Sequence, residues 1–154
     1  MAAAGCVVEE AEPPHFEEGA ALWRHLVMED MRRGAQATVE AMGDAGVNII
    51  RAWGVFFERY PVLLMPNSWQ RQFPIDADKG PPAQVHRLLA AQAPLLVTAI
   101  VGLPGLAMPT GLVDGLPGGV QICTARFRED VALRVGEFIE RAAGFSAFEH
   151  LAPR

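Results

Sequence analysis

Apolar residues recur along the chain at two different periods, and the exchange of one period for the other predicts an α/β fold. From Phe16 onward, Ala20, Trp23, Val27 and Met31 fall three or four apart, which predicts a helix running to about Met42. Its other face carries Glu17, Glu18, Arg24, Asp30, Arg32 and Arg33, the composition of a solvated surface. Gly43 to Gly46 predicts a break. A second helix is expected over Asn48 to Arg59, with Asn48 as its N-cap. There Ile49, Ile50, Trp53, Phe56, Phe57 and Tyr60 form one wide apolar stripe, suited to core packing rather than to an aromatic ligand box. Pro81-Pro82 opens a third helix with Val85, Leu88 and Leu89 inward. Leu95 to Val101 reads as either a short helix or a buried strand. Glu129 and Asp130 open the last helix, where acidic side chains meet the positive end of the dipole. Its buried stripe is expected at Val131, Val135, Phe138, Ile139 and Ala142, with Arg141 and Gly144 marking its end.

Between these helical patterns lie four short apolar runs, Cys6–Glu10, Val62–Met65, Gly105–Met108 and Gly119–Cys123. Val62–Met65 is apolar without alternation, as in a central parallel strand. The last two runs are bounded by Gly and Pro, which suits strands buried on both faces, and Asp114-Gly115 between them is a strong hairpin signal. Gly118-Gly119 leaves a spot without side chains where another backbone can approach closely. The expected fold class is α/β, a mixed sheet of about four strands flanked by helices. The Ala run from Met1 to Gly5 reads as the last turn of a helix, which predicts that the chain starts partway through a larger fold.

Composition narrows the function classes. At 154 residues the chain is one domain or part of one, and 51% hydrophobic against 20% charged residues argues against wholesale disorder. A formal charge of −5 without a run of Lys or Arg disfavours nucleic acid and anionic membrane surfaces as partners. Cys6 and Cys123 have no C-x-x-C spacing and read as buried thiols of a reduced cytoplasm. No secretory signal opens the chain. Leu88 to Val113 holds no charged residue, but its Pro and Gly residues would break a spanning helix repeatedly, so buried core is the expectation.

The segment Gly102 to Arg126, GLPGLAMPTGLVDGLPGGVQICTAR, followed by the acidic opening FREDVALRVGEFIE, resembles the C-terminal part of the amidase signature family. The shared features are a Gly-Leu-Pro segment, a Pro-x-Gly, a Leu-Pro-x-Gly-x-Gln strand and a Glu-Asp that opens the last helix, all in order. The resemblance covers Pro61 to Gly144 and extends more weakly to GCVVEEAEPP and the Trp-containing helix after it. It implies a helix at Leu95–Val101. It also implies that the short Gly43–Asn48 junction lacks part of a substrate-covering region.

The family hydrolyses carboxamide C–N bonds with a serine nucleophile, a second serine in a cis peptide and a lysine, near a Gly/Ser-rich loop. A hydroxyl is a weak nucleophile, and it needs a proton acceptor and a pocket for the oxyanion. Here Ser68 and Ser146 are the only serines and Lys79 the only lysine, and none lies in such a loop. No catalytic residue is carried over, and no cofactor is implied. His15, His25, His86 and His150 are too scattered for a zinc site. Pairing Cys123 with His86 as a thiol hydrolase is disfavoured by the apolar strand around Cys123. No Walker or G-x-G-x-x-G loop occurs.

Pro66 to Gly80 is a polar loop after a strand end, where α/β folds tend to bind ligands. The resemblance places the acyl side of a pocket there and before Gly-Leu-Pro, which points to Asn67, Trp69, Phe73 and Thr98 as substrate-binding residues. Trp69 and Phe73 equally suit a cover over the core edge. Ala99 stands where relatives often place Asn. Two functions remain open: the C-terminal portion of an amidase, inactive alone, or an accessory protein that kept the scaffold. The first implies an N-terminal catalytic half or a second copy of the chain as partner. The apolar surface for it is expected at the Gly118-Gly119 strand and the Ala2–Gly5 stub. A small amide would be bound only in that context.

Overall fold

A computed structural model of the chain describes residues 5, 7–33 and 35–146. The elements follow in the order α1 (Phe16–Arg33), α2 (Ala35–Arg59), β1 (Val62–Met65), α3 (Pro82–Ala91), α4 (Ala93–Val101), β2 (Gly105–Val113), β3 (Leu116–Thr124) and α5 (Glu129–Ala143). The expected α/β class, a sheet flanked by helices, is what forms. Its sheet differs from expectation in number and direction: three strands in the order β1-β3-β2, both pairings antiparallel. Val62–Met65 is therefore an antiparallel edge strand among the described residues, not a central parallel one. Only one face of it packs on the core, through Leu63 and Met65, while Leu64 on the other face remains 36% exposed. Of the run Cys6–Glu10, Cys6 lies outside the described residues, as do Met1 to Ala4 of the stub, and Val7–Glu10 is not in a strand. Val7 and Val8 are exposed and have no sheet partner to satisfy a strand ladder.

The hairpin forms where Asp114-Gly115 requires it. Both residues adopt left-handed φ values, 53° and 78°, as a two-residue type I′ turn demands. The strands are longer than Gly105–Met108 and Gly119–Cys123, because the ladder continues past Pro109 with an irregularity between Pro109 and Gly111. Burial is confined to Gln121–Thr124 of β3, and the expectation of strands covered on both faces fails at Gly105, Ala107 and Gly119, which are exposed, as are Leu112, Val113 and Leu116 at the tip. Gly119 does take a close backbone neighbour. A Cβ there would lie 2.5 Å from the Met108 carbonyl oxygen.

Three layers result. Cys123 and Gln121 of β3 face the helical side, where α1, α2 and α4 pack together around Ala20, Ile49, Trp53, Phe57 and Val97. The alternate residue Ile122 and its partner Leu106 face α5. Gly19 of α1 lets α4 approach closely, since a Cβ there would lie 2.7 Å from Val97 Cγ2. Burial of Trp53, at 0% exposure, contributes on the order of 3 kcal/mol.

The helices follow the apolar periodicity with local shifts. The first helical region is two helices, α1 and α2, and the Gly43–Gly46 break shrinks to one kink at Gly43 (φ 45°, ψ −156°). The helix resumes at once, so Asn48 sits inside α2 rather than capping it. Ala20 and Leu26 of α1 are buried and Trp23 and Val27 half-buried, while the side chain of Met31 lies outside the described residues. Leu95–Val101 is helical, and α3 and α4 meet at 64° around Gln92. In α5 the buried stripe runs through Ala132 and Gly136, while Phe138 is 36% exposed and Ala142 is exposed. Small residues win there because β2 comes close: a Cβ on Gly136 would lie 2.5 Å from Leu106 Cδ2. Arg128 Nε donates to Asp130 Oδ1 at 3.0 Å and holds that carboxyl below its ordinary pKa at the helix start. Among the described residues no single helix is long and apolar enough to cross a membrane.

Candidate functional site

The loop from Pro66 to Gly80 joins β1 to α3, and its path is fixed by hydrogen bonds at both ends. Trp69 N–H and the Ser68 hydroxyl both donate to the Ala91 carbonyl, at 2.8 and 3.1 Å, which ties the loop to the end of α3. Gln70 N–H donates to Ser68 Oγ at 3.2 Å. On its other side the Arg71 guanidinium pairs with Asp114 in the hairpin turn, and Gln72 Nε2 donates to the Pro117 carbonyl. The loop thus braces the tip of the hairpin against the helical layer.

Two clefts flank it. The smaller, about 350 Å³, is lined by Asn67, Ser68, Gln72 and Phe73 on one side and Gly118 and Gly119 on the other. The glycines present bare backbone to it. The larger, about 800 Å³, lies between β1, Trp69 and residues 10–18. Asn67 and Phe73 therefore come together. Trp69 turns to the other cleft, 54% exposed, with its ring centroid 5.7 Å from that of Phe16. Thr98 lines neither cleft and is buried on α4. Its hydroxyl donates to the Leu95 carbonyl at 2.9 Å and lies 3.4 Å from Gln121 Oε1.

Gln121 closes the Leu-Pro-x-Gly-x-Gln motif but is not among the site residues to which the sequence points. It is 5% exposed, and its Nε2 donates to the Pro94 carbonyl at 3.4 Å. Its signal is a lone amide within the apolar run Val120–Cys123. At the smaller cleft, Asn67 Oδ1 is buried without a hydrogen-bond partner. An orphaned acceptor of this kind costs about 1–3 kcal/mol.

The candidate nucleophiles are constrained. Burial pushes the Cys123 thiol up to about 12, so at neutral pH it is a core thiol and not a thiolate. Lys79 Nζ pairs with Asp76 Oδ1 at 2.7 Å, and the Ser68 hydroxyl is occupied by the Ala91 carbonyl. Among the described residues no group of three or more His, Cys, Asp or Glu could hold a metal ion.

No protein-family model matches the chain. Indoleacetamide hydrolase of Bradyrhizobium japonicum is 33% identical over 153 residues, covering 96% of this chain and 30% of that protein. A glutamyl-tRNA(Gln) amidotransferase subunit of Lactobacillus gasseri is 34% identical over 95 residues, covering 60% of this chain and 19% of its own length. The crystal structure of the corresponding glutamyl-tRNA(Gln) amidotransferase subunit from Thermotoga maritima superposes with a TM-score of 0.67 at 19% identity, over 93% of this chain and 36% of that chain. A sheet between one helix and a helical layer, held by these sequences, is the scaffold of an amidase-type α/β protein. The chain belongs to the amidase signature family. It spans about a fifth to a third of the length of the curated relatives it matches.

Proposed function

We propose that this chain is the C-terminal portion of a cytoplasmic amidase-like hydrolase of small carboxamides, and that it is inactive without the serine- and lysine-bearing part of the fold. The observation that carries this reading is the 33% identity with an indoleacetamide hydrolase across 96% of the chain. The catalytic part would be supplied by another chain or by a longer form of this one. Asn67, Phe73 and the bare backbone of Gly118 and Gly119 form the substrate-facing wall, while Trp69 faces the neighbouring cleft on the other side of the loop. The orphaned Asn67 Oδ1 accepts a hydrogen bond from the carboxamide N–H₂ of the substrate. Thr98 contributes from behind, by fixing the end of α4 against β3.

The test is hydrolysis of indole-3-acetamide and of a simple aryl amide by the purified chain. No turnover is expected, because a scaffold without its nucleophile keeps little rate. Turnover that disappears in Ser68→Ala, Lys79→Ala or Cys123→Ala would overturn the inactive reading and identify the nucleophile or base. A second reading, an accessory protein that kept the scaffold, draws on the closed core, where Trp53, Val97 and Ile122 are fully buried within this chain alone. A monomer that binds no carboxamide and no catalytic partner would favour it.

A further inference from the structure

The smaller cleft is close to neutral, and a contact made outside it keeps it so. Among the described residues that line it, Arg71 alone carries a charge. The rest of the wall is uncharged: the carboxamides of Asn67, Gln70 and Gln72, and the apolar groups of Phe73, Leu116 and Pro117. The Arg71 guanidinium is paired with Asp114, the first central residue of the hairpin turn, which is not itself part of the lining. The left-handed φ of Asp114, 53°, belongs to the turn, so the hairpin places this carboxylate opposite the loop. Gln72 Nε2 on the Pro117 carbonyl is a second tie between the same two segments. At about 350 Å³ the cleft lies near the small end of the range for ligand sites, which suits one small molecule.

Charge is what separates a carboxamide from its hydrolysis product. Water adds its oxygen to the carbonyl carbon, the C–N bond breaks, and the nitrogen leaves with the protons as ammonium. The neutral amide becomes a carboxylate. A wall of amides and apolar groups holds the first and leaves the second without a counter-ion to offset its lost hydration. A free guanidinium would reverse that preference, because Arg binds carboxylates in a bidentate fork. We infer that the smaller cleft selects an uncharged carboxamide over its carboxylate product, and that the Arg71–Asp114 ion pair sets this selection by withholding the guanidinium from the product. This rests on the proposed function, and it makes Asp114 a positioning residue that acts through Arg71. The formal charge of −5 on the chain works in the same direction.

The experiment titrates the full chain with indole-3-acetamide and, separately, with indole-3-acetate, reading the backbone N–H signals of Gly118 and Gly119 by NMR. At low salt the amide should bind about tenfold more tightly than the carboxylate. In Asp114→Asn the freed guanidinium should tighten acetate binding about threefold, a modest gain because the ion pair is exposed. That gain should vanish at high salt, and also in Arg71→Gln combined with Asp114→Asn. Asp114→Gly, which equally accepts the left-handed φ, should show the same gain. A merely structural role for Asp114 would move both ligands alike and would overturn the role of the ion pair. Equal binding of the two ligands by the parent chain would overturn the inference and leave the amidase reading standing. No shift at Gly118 or Gly119 with either ligand would overturn the inference together with the substrate-facing wall. A preserved preference in a chain that hydrolyses no amide when reunited with a catalytic part would uphold the selection and sink the amidase reading.

Discussion

Thr98 Oγ1 lies 3.4 Å from Gln121 Oε1, and both side chains are buried where α4 crosses β3. The pair closes a small polar network inside an apolar layer, with the Leu95 and Pro94 carbonyls as its outer members. Networks of this kind are costly when half satisfied. Thr98→Val should therefore destabilise the fold by about 1 kcal/mol. In a chain reunited with a catalytic part it should leave the KM for amide close to that of the parent, whereas Asn67→Ala should raise it. Urea titration and a KM measurement separate the two effects.

Glycine substitutions should split by surroundings. A Cβ on Gly119 would meet the Met108 carbonyl oxygen at 2.5 Å, a backbone atom that cannot rotate away. Gly119→Ala should cost about 1–3 kcal/mol. Gly54, within α2, has nothing within 4 Å of its Cβ direction. Gly54→Ala should stabilise by about 0.5–1 kcal/mol, since alanine loses less backbone freedom in a helix. Thermal melts of the two variants should move in opposite directions.

Cys123 gives the fold an alkaline weakness. Its thiol is raised from 9.0 to about 12 by burial. Below about pH 9 the folded and unfolded chains both keep the proton, and the group adds no pH dependence. Between about pH 9 and pH 12 the unfolded chain binds fewer protons than the folded one, so stability falls with rising pH, by up to about 1.4 kcal/mol per pH unit from this group. Denaturant titrations across pH 8 to 11, in a Cys6→Ser background, should show a shallower decline for Cys123→Ala than for Cys123. An equal slope in the two would show that the thiol ionises without unfolding.

The hairpin turn should tolerate little beyond small or amide residues. Asp114 and Gly115 sit at φ 53° and 78°. A β-branched side chain there is strained by about 1–2 kcal/mol. Gly115→Val should lower the melting temperature, while Asp114→Asn should keep the turn and lose only the exposed ion pair with Arg71, worth about 0.5 kcal/mol or less. Circular dichroism melts of both variants check the ordering.

Local chemistry settled much of this protein. Asp-Gly fixed the hairpin, because few dipeptides accept two consecutive left-handed φ values. Pro82 set the start of α3 and Gly144 the end of α5 through backbone freedom alone. The aromatic stripe of α2 announced the core, since Ile49, Trp53 and Phe57 share one face at helical spacing. The amidase motifs could be read residue by residue from Gly102 to Arg126. Long-range geometry decided the rest. Strand direction and edge position depend on which chain segment lies alongside, so the run Val62–Met65 could not show that it would pair antiparallel with β3. Val7–Glu10 has a strand's composition and lacks a strand's partner. The separation of Thr98 from Asn67 and Phe73 follows from the crossing of α4 over β3, and the use of Ala132 and Gly136 in place of bulkier residues in the α5 contact follows from how closely Leu106 approaches. Periodicity gives the face of an element, but the distance to its neighbour is a property of the packed chain.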